Sequence, residues 1–283
     1  MSNLRIGIPS KGRLADRISD LLEQAGLSFR RQDRTLFARV REMPIDITFL
    51  RTDDIPLLCA RGAIDLGITG SDLVAESGAE LLTRLPLGIG RCRMVICVPE
   101  ESPITQVSDL AGTSIASSFP TITQDFLARN DCEAQIIPLH GSVEIMISLG
   151  VAEAIVDLTE TGSTLAANKL RVLEEIDCYE SVVIQNQASR EAELADLVIR
   201  RLEGVVVARA YSLLEYNVSR SKLSEAEQIT PGFHSPTVNP LEDPDWCAVR
   251  VMVKRGDVTE TMDKLDILGA TAILETQIHN SRL

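Results

Sequence analysis

Apolar positions along the chain follow two rhythms. Alternation over Leu4–Ile8 and Pro44–Leu50 predicts strands, as do the apolar runs Ala63–Thr69, Met94–Val98, Ser114–Ser117, Gln135–Leu139 and Ser181–Gln185. Leu14, Ile18, Leu21, Leu22 and Ala25 recur at helical spacing, and Gly26 stops that helix. Further helices are expected from Ile55, with Asp54 placed as its cap, over Ile122–Ala128 and over Val143–Leu149. One more is expected over Glu191–Leu202, ended by Gly204. Strands alternating with helices predict parallel α/β sheets, and the pattern resets near Val107 as though a second sheet begins. The final stretch has another order. A strand at 211–218, a short helix at 224–229, a strand at 246–253, a helix at 258–268 and a strand at 272–277 suit a ferredoxin-like α+β unit.

One stretch stands out chemically. Ala154–Val156 reads as a buried strand ending at Asp157, followed by Leu158, Thr159, Glu160, Thr161, Gly162, Ser163 and Thr164, with helical spacing from Leu165. A strand, a small-residue turn and a helix start aim several N–H groups and a positive dipole end at one point, the layout of a phosphate site. An ordinary strand-to-helix cap, with Ser163 or Thr161 as N-cap, is the alternative. Asp157 would repel a bare anion. It fits a sugar phosphate, whose hydroxyls or Mg²⁺ ion it can meet while the amides hold the phosphate.

Other strand ends carry similar chemistry. Pro9-Ser-Lys-Gly-Arg13 is a basic glycine turn before a helix, so Lys11 and Arg13 either grip a phosphate or form a solvated cationic turn. Arg51 ends a strand where open α/β sheets bind ligands, with a surface ion pair to Asp53 or Asp54 as the bland reading. Gly70, Ser71 and Asp72 form a third small-residue turn before a helix. Glu144 either complements a helix dipole or faces the Asp157 loop.

Composition narrows the class. The 283 residues are 45% apolar, enough for two or three domains. A net charge of −13 argues against nucleic-acid binding. No apolar run approaches membrane-spanning length, and Met1–Ile8 does not read as a signal peptide. Six cysteines without a CxxC pair, and only three histidines, point to reduced cytoplasmic thiols rather than disulfides or zinc.

Taken together, Gly141-Ser-Val-Glu-Ile145, Gly150–Leu158, Thr161-Gly-Ser-Thr-Leu165, Asp65–Gly70, Met43–Ile47 and Ile115–Pro120 resemble the ATP phosphoribosyltransferase family over the whole chain. Thr230–Thr237 and Trp246–Arg250 are similar to the regulatory domain of its long form. The 157–165 stretch resembles the loop that holds 5-phosphoribosyl diphosphate (PRPP), although Val156 stands where the usual pattern has a first acid.

The resemblance implies two periplasmic-binding-protein-like (type II) lobes around a cleft, plus a C-terminal ACT-like ferredoxin-fold domain. The implied segments are 1–98 with 179–203, then 99–178, then 204–283. It implies transfer of phosphoribose from PRPP to N1 of the adenine of ATP, assisted by Mg²⁺. Lys11, Arg13 and Arg51 would meet phosphate oxygens, Asp157 and Glu144 the ribose or metal, residues 157–165 the PRPP, and Gly70, Ser71 and Asp72 the purine nucleotide. Histidine would inhibit from a site near Asn217, Phe233, Ser235, Thr237 and Ala272, between neighbouring subunits. Relatives can carry Asp where this chain has Asn217, so inhibition should be weaker. AMP is a further candidate ligand, and a homodimer assembling to a homohexamer is implied. A non-catalytic sensor of a phosphorylated metabolite, and a transferase acting on another base, are the competing readings.

Overall fold

The structure is a computed structural model that describes residues 3–31, 35–139, 141–188 and 191–282. Met1, Ser2 and Leu283, at the ends of the expected segments, lie outside the described residues. In chain order the elements are β1 (Leu4–Pro9), α1 (Arg13–Gln24), β2 (Phe37–Arg39), β3 (Ile45–Leu50), α2 (Asp54–Ala60), β4 (Leu66–Gly70), α3 (Ser71–Ser77), β5 (Leu82–Pro86) and β6 (Cys92–Pro99). There follow β7 (Ser114–Ser117), α4 (Pro120–Arg129), β8 (Gln135–Pro138), α5 (Ile145–Ser148), β9 (Ala154–Thr159), α6 (Ser163–Ala167), β10 (Leu170–Tyr179) and β11 (Ser181–Gln185). The rest is α7 (Ala192–Ala210), β12 (Tyr211–Ser219), α8 (Leu223–Ile229), β13 (Thr237–Pro240), β14 (Trp246–Lys254), α9 (Val258–Leu268) and β15 (Thr271–Gln277).

Two compact units result, one of residues up to Asp20 with Ser28–Asp196, the other of Leu21–Leu27 with Leu197 onward. The first unit holds two mixed sheets. One has the order β2-β3-β1-β4-β11-β5, in which β1 runs parallel to β3 and β4, and β11 antiparallel to β4 and β5. The other has the order β10-β6-β9-β7-β8, with β7 parallel to β8 and β9 and β6 antiparallel to β9 and β10. The expected first lobe ran to residue 98, but β6 belongs to the second sheet, so the first crossing between lobes comes at 87–91. Apolar side chains on both faces of β1, β4, β6 and β9 explain their central places.

The two crossings lie side by side. Leu87 N–H donates to Ser181 O at 2.9 Å, and Ser181 N–H donates to Ile89 O at 2.9 Å. Glu180 ties this hinge together. Its carboxylate accepts Gly88 N–H at 2.7 Å and pairs with Arg91 at 3.7 Å.

In the second unit, β12, α8, β13, β14, α9 and β15 form the expected ferredoxin-like order, with an antiparallel sheet β13-β14-β12-β15. Every second residue of β12, from Ser212 to Val218, is buried, which is the period-2 signature of a sheet with one covered face. Gly204 does not end α7, which continues to Ala210. The glycine instead admits the C-terminal segment: Ser281 N–H donates to Gly204 O at 3.1 Å, and a Cβ at 204 would collide with Ser281 and Arg282. Among the described residues no helix is long and apolar enough to cross a membrane.

Candidate active site

Where the lobes of the first unit meet, a cavity of about 370 Å³ opens. Lys11, Gly12, Arg13 and Arg17 from the β1–α1 turn and helix form one side. Gly70 and Asp72 enter from the β4–α3 junction, Leu158 and Glu160 from the end of β9, and Glu180 from the hinge. Lys11, Arg13 and Arg17 are exposed and have no hydrogen-bond or ion-pair partner among the described residues. These three unspent cations on one side of the cavity face Asp72, Glu160 and Glu180 on the others, so positive charge is available locally in a chain of net charge −13.

Around the 157–165 loop the backbone differs from expectation in two respects. β9 runs on to Thr159, so Asp157 lies inside the strand, paired with Val95 of β6. Neither Ser163 nor Thr161 caps α6; Gly162 holds that place at φ +78°, and the two hydroxyls lie 3.1 Å apart. Gly162 N–H donates to Thr159 Oγ1 at 2.9 Å, which folds the loop back onto the strand end. Thr161, Ser163 and Thr164 stay exposed, and Leu165 anchors the turn in the core.

The Asp157 carboxyl is pushed above the ordinary carboxylate range, first by burial and further by the Glu144 carboxylate; the Leu158 N–H at 2.8 Å works the other way. Glu144 stands half-buried at the start of α5, a single turn of helix. Two carboxylates that repel each other in this way suit a divalent cation, whose charge reverses the penalty. No group of three or more His, Cys, Asp or Glu side chains gathers as a metal site among the described residues.

On the opposite side, Asp72 is buried and its carboxyl is also raised, chiefly by burial, with N–H groups of Leu73 and Asp72 itself partly offsetting this and Asp53 adding repulsion. Its carboxylate folds back over Gly70, where any Cβ would collide with it. Ser71 is engaged at the hinge: its N–H donates to Glu180 O at 2.9 Å and its hydroxyl accepts Glu180 N–H at 3.1 Å. Arg51 is exposed, forms no ion pair with Asp53 or Asp54 among the described residues, and leaves the cavity wall to its neighbour Thr52. Asp54 is the first residue of α2 rather than its cap; Asp53 holds the cap position without a side-chain bond.

The five expected effector residues fall in two patches. Ala272, at φ +50°, sits in the bulge where β15 skips register against β12 between Glu215 and Asn217. Thr237 pairs with Arg250, which in turn pairs with Glu215 through a 2.6 Å ion pair. Phe233 instead stacks edge-on with Tyr211, 5.9 Å away, at the far end of β12. Six residue steps along the strand lead from Tyr211 to Asn217, roughly 20 Å. Ser235 is exposed in the loop before Thr237.

Sequence reasoning missed Arg17, Thr52, Cys92 and Glu180 in the cavity wall. Arg17 had a signal, since it follows Arg13 by one helical turn.

Comparison with known proteins decides the family. Residues 51–204 match the model of the HisG family, ATP phosphoribosyltransferase, and residues 208–280 match that of the HisG C-terminal domain. The chain belongs to the ATP phosphoribosyltransferase family. It is of the long form, with catalytic and C-terminal domains in one chain. An ATP phosphoribosyltransferase of Rhodopirellula baltica is 61% identical over 282 residues, covering 100% of this chain and 94% of that protein. One of Saccharopolyspora erythraea is 42% identical over 281 residues, covering 99% and 100%. Among solved structures, the ATP phosphoribosyl transferase (HisG:HisZ) complex of Thermotoga maritima matches with a TM-score of 0.65 and 30% identity, over 72% of this chain and 98% of that one. Members of the family join the phosphoribosyl group of PRPP to N1 of the adenine of ATP, releasing pyrophosphate, at the first step of histidine biosynthesis. The sensor reading is not favoured.

Proposed function

We propose that the 370 Å³ cavity is where this transfer occurs. The observation that carries the reading is the convergence of three unpaired cations, Lys11, Arg13 and Arg17, with the end of the Asp157 strand in one cavity wall. The reaction forms a bond from adenine N1 to the anomeric carbon and breaks the bond from that carbon to pyrophosphate. It needs alignment of two polyanions and neutralisation of the leaving charge, and no protein nucleophile. Residues 158–165 hold the 5-phosphate through backbone amides and hydroxyls, and Asp157 faces the ribose hydroxyls. Lys11 and Arg13, joined by Arg17, take phosphate oxygens, with the Arg groups offering paired donors. Gly70 and Asp72 wall the purine side, and Ser71 fixes that wall rather than touching the nucleotide. Arg51 serves as an outer cation.

Asp157 and Glu144 would hold Mg²⁺. When bound, the ion supplies positive charge to the diphosphate. The segments 1–98 with 179–203, 99–178 and 204–283, with the first boundary moved ahead of β6, act as two catalytic lobes and an ACT-like regulatory domain. Histidine binds that domain. The separation of Phe233 from Asn217 and Ala272 supports a site built by two neighbouring copies, in keeping with a homodimer that assembles to a homohexamer in the cytoplasm. AMP would compete at the ATP position.

Absorbance at the adenine band, followed with ATP, PRPP and Mg²⁺, tests the assignment. The rise should need both substrates, vanish in Asp157→Ala and weaken with histidine. Full turnover by Asp157→Ala refutes the site.

A further inference from the structure

α3 starts from the first sheet, at the end of β4, and Val74 packs in the first lobe's core, yet two of the helix's side chains reach the second lobe. Leu73 packs against the core cluster that includes Phe119, Ile122 and Phe126. Three residues on, on the same helical face, Glu76 reaches the N-terminus of α4. Its Oε1 accepts Thr121 N–H at 3.0 Å and its Oε2 accepts Ile122 N–H at 3.0 Å. These amides are among the donors that a helix leaves without an internal partner, and the dipole there favours a carboxylate. Phe119, at the cap position of α4, makes no side-chain cap bond. The cap therefore comes from the other lobe, 45 residues earlier in the chain. The first turn of the same α3 carries Asp72 into the cavity, facing a space also walled by Leu158 and Glu160 from β9.

We infer that Glu76 is a positioning residue for phosphoribosyl transfer. By clasping α4 it sets the Gly70–Asp72 wall against the β9 loop, so the two halves of the site hold one spacing. The inference rests on the cavity being the site of transfer.

Hydrogen exchange resolved to single amides reads the clasp without substrates, and steady-state kinetics reads its effect. In the full-length protein the Thr121 and Ile122 amides should be protected. Glu76→Ala should expose both, and Glu76→Gln, which keeps one carbonyl acceptor, should expose only part. Glu76→Ala should lower kcat/KM by about 10- to 100-fold, as a displaced positioning group does, with Glu76→Gln restoring part of the loss. PRPP affinity of the free enzyme should change by less than about 3-fold, because the clasp touches neither the loop nor its anchor. Fast exchange at both amides in the unaltered protein overturns the inference. So does a Glu76→Ala variant that loses protection and melting temperature but keeps its kinetics. Asp157→Ala is run alongside. If it is inactive while Glu76→Ala matches the parent, the clasp alone fails; if Asp157→Ala is fully active, the site reading fails and the inference with it.

Discussion

Replacing Gly162 by alanine isolates the backbone contribution of the loop proposed to hold PRPP. Gly162 sits at φ +78°, ψ 1°. A Cβ there would meet nothing within 4 Å, so the substitution brings no collision. What remains is the cost of holding an L-residue in the left-handed region, roughly 1–2 kcal/mol. If PRPP binds only this loop conformation, the competent fraction falls and its affinity drops by the same factor, about 5- to 30-fold. Asparagine tolerates this region better, so Gly162→Asn should lose no more than about 3-fold. The assay is initial rate of adenine absorbance change against PRPP concentration at saturating ATP, with PRPP titrated calorimetrically as a check. The KM for ATP should hold steady, since Gly162 is not among the residues that wall the cavity with Gly70 and Asp72. Unchanged PRPP affinity in Gly162→Ala, or equal losses in the alanine and asparagine variants, would refute the reasoning.

Asp157→Asn should stabilise the cation-free protein while abolishing turnover. Because the folded carboxyl is raised above its ordinary 3.8, the folded protein binds a proton the unfolded one has lost; stability falls as pH rises through that window and stays lower above it. Urea unfolding at pH 4 and pH 7 should show the variant gaining on the parent only at the higher pH. Tyr216→Phe should cost about 1 kcal/mol in the same experiment. Thr230 Oγ1 already donates to Ala226 O at 2.9 Å, so the buried Tyr216 hydroxyl is the donor to Thr230, at 2.7 Å, and that bond is lost outright. Thiol titration at pH 8 should find Cys59 and Cys97 silent until the protein unfolds, since burial pushes both up to about 12. Exposed Cys178 should react first, slowed by its bond to Glu175.

Elements with a strong period were legible in the sequence. α9 matches its expected span because it has a buried face that repeats at 3.6 residues, and β7 because it is a short run buried on both faces. β2, β5, β10 and β13 were not read, and all four are edge strands. An edge strand has one neighbour and more solvent, so its alternation is weak; β10 carries Glu174, Glu175 and Asp177 and breaks register twice against β6. Gly204 read as a stop because glycine weakens helices, but here it makes room for the chain's own end. At the site, Lys11, Arg13 and the 157–165 loop were visible because a turn and its helix are contiguous. Glu180 and Thr52 had no local signature, since only the crossings between lobes bring them to the cavity.

The place of β11 also governs the order in which this chain can fold during synthesis. β11 lies between β4 and β5 and is the partner of both, yet more than a hundred residues of chain separate β4 from it. Until residue 185 has left the ribosome, the first sheet is an incomplete template with an open apolar edge at β4. The second sheet, β6 to β10, is contiguous and can close before then. The nascent protein thus completes its second lobe first, and it carries a sticky unfinished first lobe for the time needed to translate the rest, the interval in which such edges aggregate or recruit chaperones.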